Sequence, residues 1–161
     1  MKGADLYIYA RVLHVLGVIF WIGGVAFVTT ILIPSIRRIP DAEKRWELFE
    51  RIEIRFSRQA KISTLITGFS GLYMLAHLDA WDRYLNPQLW WMHLMTLVWL
   101  IFTVVLFILE PWFLHRWFQE RALRDSESAF RMLHAMHLIL LTLSIIAVFG
   151  AVAGVRGFVF G

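Results

Sequence analysis

Residues 6–32 read LYIYARVLHVLGVIFWIGGVAFVTTIL, twenty-seven residues in which Arg11 is the only permanent charge. About 20 helical residues of this kind cross the roughly 30 Å hydrocarbon layer of a bilayer. The run is too long, and too poor in a small-residue cleavage site behind it, to read as a removable signal. It stops on paper at Pro34. Working outward, three further stretches have the same character: about 62–78, about 89–109, which meets Glu110-Pro111, and about 132–155. Backbone polar groups in lipid must be satisfied within the segment, and no ten-residue alternating strands occur, so the spans are helices. The expectation is an all-α integral membrane protein, a four-transmembrane-helix bundle forming one domain over residues 1–161.

Composition agrees. The 161 residues are 59% hydrophobic and 17% charged, with a mean hydropathy of +0.64. Soluble domains run about 45–50% apolar and about 25% charged. This excess excludes a soluble enzyme, a disordered tail and a nucleic-acid module. The basic residues behind the pI of 9.9 lie between apolar runs, where lipid headgroups are their natural partners and nucleic acid is not. With no cysteine in the chain, thiolate nucleophiles, iron–sulfur clusters and thiolate zinc sites are excluded.

The cations set an orientation. Eight fall between spans one and two, from Arg37 to Lys61, and Arg116, Arg121, Arg124 and Arg131 fall between spans three and four. Lys2, Arg11, Arg83 and Arg156 fall on the other side. Twelve against four predicts both larger loops in the cytoplasm and both termini outside, in the periplasm. Pro40-Asp41 reads as a helix start. Beyond it Trp46, Phe49, Ile52 and Phe56 recur on one face. This amphipathic cytoplasmic segment either lies along the inner membrane surface or extends the second span. Trp81, Tyr84, Trp90 and Trp91 mark the outer interface, and Trp112 and Trp117 the inner one.

All six histidines lie in or beside a span, and an intramembrane ionisable group is a functional candidate by default. The topology sorts them into two layers: His14, His77 and His93 toward the outside, His115, His134 and His137 toward the inside. Two imidazoles on facing helices suit a haem. On span one, His14, Gly17, Trp21 and Gly24 share a face, offering a ligand and a small-residue floor for the ring, while Arg11 is placed to pair with a propionate. On span three, His93, Thr96 and Leu100 form the facing stripe. The preferred axial pair is His14 with His93, and His77 is held in reserve. His134 and His137, three apart, supply at most one ligand of one iron, which leaves room for a second haem on the inner side. Two plainer readings stand beside these: a membrane histidine can be a helix–helix hydrogen-bonding group worth about 1 kcal/mol, and the glycines can be close helix packing. A competing chemistry is copper, because Met74, Met92, Met95, Met132 and Met136 each lie within three residues of a histidine, and thioether with imidazole selects Cu(I). Glu110 reads as an acid snorkelling at the inner interface, shuttling protons, or pairing with an arginine of the cytoplasmic loops.

These residues also carry a resemblance. Leu13-His14 followed by Phe20-Trp21-Ile22-Gly23 resembles the opening of the HemJ-type protoporphyrinogen oxidases and the related CopD-type copper membrane proteins. The similarity continues through Phe49, Ile52-Glu53, Ile66-Thr67, Gly71-Leu72-Tyr73, Trp91-Met92-His93 and Phe130-Arg131. It implies a small, often oligomeric helical bundle binding b-type haem, with His14 and His93 at the family's histidine positions. The chain departs from the HemJ pattern in two places. Met95 stands where that family has a lysine, and His134-Ala135-Met136-His137 replaces an Asn-Glu-x-Pro stretch. Both departures remove polar groups that would serve a tetrapyrrole substrate. The expected function is therefore a haem-b protein moving electrons in a bacterial inner membrane, with lipid around it and quinone or another redox protein as partner. An oxidoreductase of the protoporphyrinogen oxidase kind, a CopD-like copper handler and a purely structural subunit are the alternatives.

Overall fold

The computed structural model describes residues 2–154, with side chains for all of these except 2–4 and 113–115. Arg156 and the end of the fourth predicted span at Val155 lie outside the described residues, as do the side chains of Lys2 and His115. The described chain forms four helical rods. Rod α1 runs over 2–37, as α-helix Lys2–Phe27, a π-helical turn Val28–Leu32 and α-helix Ile33–Arg37. Rod α2 is Ala42–His77. After the short 3-10 turns Trp81–Leu85 and Pro87–Leu89 comes α3 over 90–124, as α-helix Trp90–Val104, a π-helical stretch Val105–Leu114 and α-helix His115–Arg124. Rod α4 is Ser126–Gly154. The short connections make neighbours antiparallel. Rod α1 packs chiefly on α2 and α3 on α4, and contacts of α1 with α4 and of α2 with α3 close the bundle.

Three stretches are long and apolar enough to cross a membrane: Asp5–Arg37, Pro87–Trp112 and Ser126–Gly154. Rod α2 is not among them, and the reason is where its polar residues point. Ser57, Ser63, Thr64, Thr67 and Ser70 are buried against the other rods, whereas Ile62, Leu65, Ile66, Phe69 and Leu72 are exposed. Averaging hydropathy along the helix mixes an inward polar face with an outward apolar one.

Helix ends follow local chemistry. The Asp41 carboxylate accepts the Lys44 amide at 3.0 Å and caps α2 at its start, the role expected of it. At the far end the Ala80 amide donates to the Leu75 carbonyl and that of Asp79 to Ala76, with Asp79 at φ 47°. This is the Schellman closure with an aspartate in the left-handed position that glycine usually takes. Pro34 does not stop α1, contrary to the sequence reading. A proline withholds the amide that the carbonyl four residues back would use, and the wide turn just before it, Val28–Leu32, accommodates the mismatch. Pro111 is carried in the same way inside Val105–Leu114, so α3 runs on well past the predicted end at Leu109.

The amphipathic segment after Asp41 does not lie along a membrane surface. It is the first part of α2, one rod of 36 residues and about 54 Å at 1.5 Å per residue. Trp46 and Phe49 turn inward and meet Phe118 of α3 and Phe130 of α4. Phe49 and Phe130 are edge to face with centroids 5.3 Å apart, and Trp46 and Phe118 are 5.7 Å apart. Leu32, Ile33 and Ile36 of α1 complete this cluster. Its rim is ionic: Arg45, almost wholly buried, donates to the Ile39 carbonyl at 2.7 and 3.0 Å and to the Ser126 hydroxyl at 3.1 Å. Arg37 pairs with Glu127, and Arg45 reaches the same carboxylate at 3.6 Å. At the other end Trp91, read as an interfacial residue, is buried instead. Gly150 on α4 admits it, since a Cβ there would lie 2.8 Å from both Trp90 and Trp91.

Phe130 is fully buried where all four rods meet. Phe130→Ala is expected to cost about 3–5 kcal/mol, lowering the thermal midpoint in detergent. Phe69→Ala, on the outward face of α2, should move it far less.

Candidate cofactor site

The face of α1 carrying His14, Gly17, Trp21 and Gly24 is turned into the bundle, mostly onto α2. A Cβ on Gly17 would stand 2.5 Å from the Thr67 hydroxyl oxygen, and one on Gly24 would stand 2.5 Å from the Phe56 ring. The two rods approach this closely only because both residues lack a side chain. His14 is half-buried in the same seam. Its Nδ1 donates to the Thr67 carbonyl at 2.9 Å, and the Ser70 hydroxyl lies 3.3 Å away. Trp21 is buried edge to face on Phe102 of α3, with centroids 5.0 Å apart. The buried indole nitrogen of Trp21 and the hydroxyls of Thr64 and Thr67 have no hydrogen-bond partner among the described residues.

His93 opens α3 and is exposed. Its Nε2 lies 2.9 Å from the Tyr84 carbonyl of the outer connection, and the two rings meet edge to face at 5.3 Å. Tyr84 is held in turn by Thr96, hydroxyl to hydroxyl at 2.7 Å. The height of His93 relative to His14 follows from α2. His14 is level with Thr67 and Ser70, while the Trp99 indole of α3 donates to the Thr64 carbonyl at 3.0 Å. His93 therefore lies roughly one helical turn nearer the 81–89 connection than His14.

The remaining histidines are dispersed. His77 is exposed and sandwiched between Tyr7 and Tyr73, each ring stacked at 5.6 Å. Level with Tyr7, it stands about 10 Å along α1 from His14. His137 spends its Nδ1 on the Leu133 carbonyl of its own helix at 2.9 Å, and half-buried His134 lies one turn before it. Arg11 is exposed one turn before His14. Among the described residues no three histidines or carboxylates gather into a metal-binding group.

A haem can be tested against these placements. His14 has the form of a ligating imidazole, because one ring nitrogen is fixed by a backbone carbonyl and Nε2 remains for a metal. His93 stands at a compatible height with Nε2 turned to Tyr84. The glycine floor is covered as packed, with Thr67 and Phe56 where the ring would lie. As packed, His93 is committed to the Tyr84 carbonyl and the glycine floor is filled, so a ring there requires α2 or the 81–89 connection to give way.

Glu110, singled out in the sequence with an arginine as its expected partner, is held instead by a lysine and a serine of α2. Both carboxylate oxygens of Glu110 lie 2.7 Å from the Ser57 hydroxyl, and Lys61 Nζ is 3.0 Å from one of them. The pair is largely withdrawn from the surface, with side chains 31% and 21% exposed for Lys61 and Glu110. Lys61 reads in the sequence as a loop cation. The available signal was the spacing of Ser57, Lys61, Thr64, Thr67 and Ser70, which places a polar stripe on one face of α2. In a double-mutant cycle, Glu110→Gln and Lys61→Met are expected to couple by about 1–3 kcal/mol, each single change costing more than its share of the double.

Comparison with protein-family models, curated proteins and solved structures finds no match for this chain.

Proposed function

We propose that the chain is a four-crossing protein of a bacterial inner membrane that binds b-type haem and passes electrons within the bilayer. The observation that carries this reading is the bond from His14 Nδ1 to the Thr67 carbonyl. It fixes the tautomer and orientation of an imidazole in the α1–α2 seam and leaves Nε2 for iron. His93, one turn away in height on α3, is the second ligand once its ring leaves the Tyr84 carbonyl. Arg11 serves a propionate at the outer end. Bound there, haem supplies one-electron chemistry, while the chain supplies ligation, orientation and burial. The test is the optical spectrum of detergent-purified protein, oxidised and then reduced with dithionite, with a pyridine haemochrome to count haem. A sharp reduced α-band of the b type is expected, lost in His14→Ala and in His93→Ala. A colourless protein carrying copper would instead favour the CopD-like alternative. Rescue of a strain lacking its own protoporphyrinogen oxidase would favour the HemJ-like one.

The fourth crossing is α2 over residues 62–77. Its support is the outward row Ile62, Leu65, Ile66, Phe69 and Leu72 around an inward polar face. The orientation rests on the basic residues gathered at the aromatic end of the bundle. Since the chain has no cysteine, single introduced thiols report sidedness without background. Asp82→Cys should react with an impermeant maleimide in intact spheroplasts, and Glu43→Cys only after permeabilisation. The reverse pattern would invert the topology, and equal reactivity would remove α2 from the bilayer.

A further inference from the structure

Outside the histidine seam, a groove runs along the outward surface between α1 and α2. It consists of two adjoining hollows of about 440 and 480 Å³ that share Arg55 and Gln59. Its floor is fixed where Gln59 donates to the Phe20 carbonyl across the helix pair at 3.2 Å. The outer half is apolar, walled by Leu16, Phe20, Ile62 and Ile66, and the inner half presents Arg51, Arg55 and Arg58. No acidic residue lines either hollow. Arg51 pairs with Glu47 at 2.7 Å. Arg55 and Arg58, both exposed, have no carboxylate partner among the described residues. Three residues apart on α2, the two guanidinium groups lie on one face.

We propose that this groove binds an anionic phospholipid of the cytoplasmic leaflet. Its phosphate sits between Arg55 and Arg58, and one acyl chain lies along Leu16, Phe20, Ile62 and Ile66. Charge and length both match. Two guanidinium groups with no carboxylate partner among the described residues favour a net anion over a zwitterion and offer forked donors to phosphate oxygens. From Arg58 to Ile66 the groove climbs about 12 Å, which carries a chain toward the middle of a layer roughly 30 Å thick. The inference shares with the proposed function the premise that α2 lies in the bilayer, but needs no haem.

The test is lipid retention by the purified full chain in neutral detergent, read by native mass spectrometry with phosphatidylglycerol and phosphatidylcholine of identical acyl chains. The wild type is expected to retain phosphatidylglycerol preferentially. At about 1 kcal/mol per basic residue, Arg55→Gln should weaken that binding about fivefold, and the double change Arg55→Gln with Arg58→Gln about 25-fold. Ile62→Trp, which fills the apolar half, should also weaken it, and Arg83→Gln on the outer connection should leave it unchanged. Equal retention of the two lipids overturns the proposal. So does an equal effect of Arg83→Gln, which would reduce the preference to overall charge. An unaltered affinity in Ile62→Trp would leave a headgroup contact with no chain site, and would likewise overturn it. Because retention is measured in micelles, it can fail or succeed independently of the thiol-accessibility result.

Discussion

Everything distinctive about this bundle depends on how closely α2 lies on α1. Gly17 lets the Thr67 side chain rest against the α1 backbone, and Gly24 does the same for Phe56 one stage further in. That proximity brings the Thr67 carbonyl within reach of His14 and buries the hydroxyls of α2. It also sets the depth of the groove on the outward surface. In hydrocarbon, helix association gains little from excluding apolar surface, because lipid tails already supply it. Small residues that allow backbone contact are the usual substitute. A single methyl group at position 17 would separate the rods at the level of the histidine.

The fold was largely legible in the residue pattern because lipid leaves a chain few options. Long apolar runs had to be helices, and the start at Asp41 and the inward face of Trp46 and Phe49 could be read from spacing alone. The misreadings share a cause: a linear pattern gives the period of a face but not what covers it. The face of His14, Gly17, Trp21 and Gly24 was correctly grouped, yet nothing in the sequence says that α2 lies over it. Lys61 looked like a loop cation because its partner, Glu110, is 49 residues away. Pro34 and Pro111 looked like endings because widened turns, which absorb a missing amide, leave no mark in composition.

The two ends of the bundle are built on different principles. At the end opposite the 81–89 connection all four rods converge on Phe49, Phe118, Phe130 and Ile33, and an arginine pair on Glu127 joins α1 and α2 to α4. At the end bearing the 81–89 connection, polar and aromatic pairs lie near the surface. His93 and Tyr84 rest on each other, and His77 lies between two tyrosines.

The ten-residue π stretch of α3 resolves a problem of phase. Phe102 and Phe118 are both buried, at 7% and 8% exposure, although sixteen residues of regular α-helix would leave them about 160° apart around the axis. The wider turns of Val105–Leu114 advance less per residue and rotate the second half of the rod back toward the core. One continuous helix thus carries two separately phased halves, one packed on Trp21 of α1 and one in the aromatic cluster with Trp46, Phe49 and Phe130. Deleting a single residue between 105 and 114 would leave each half intact and turn one relative to the other, so this stretch works as a differential between them.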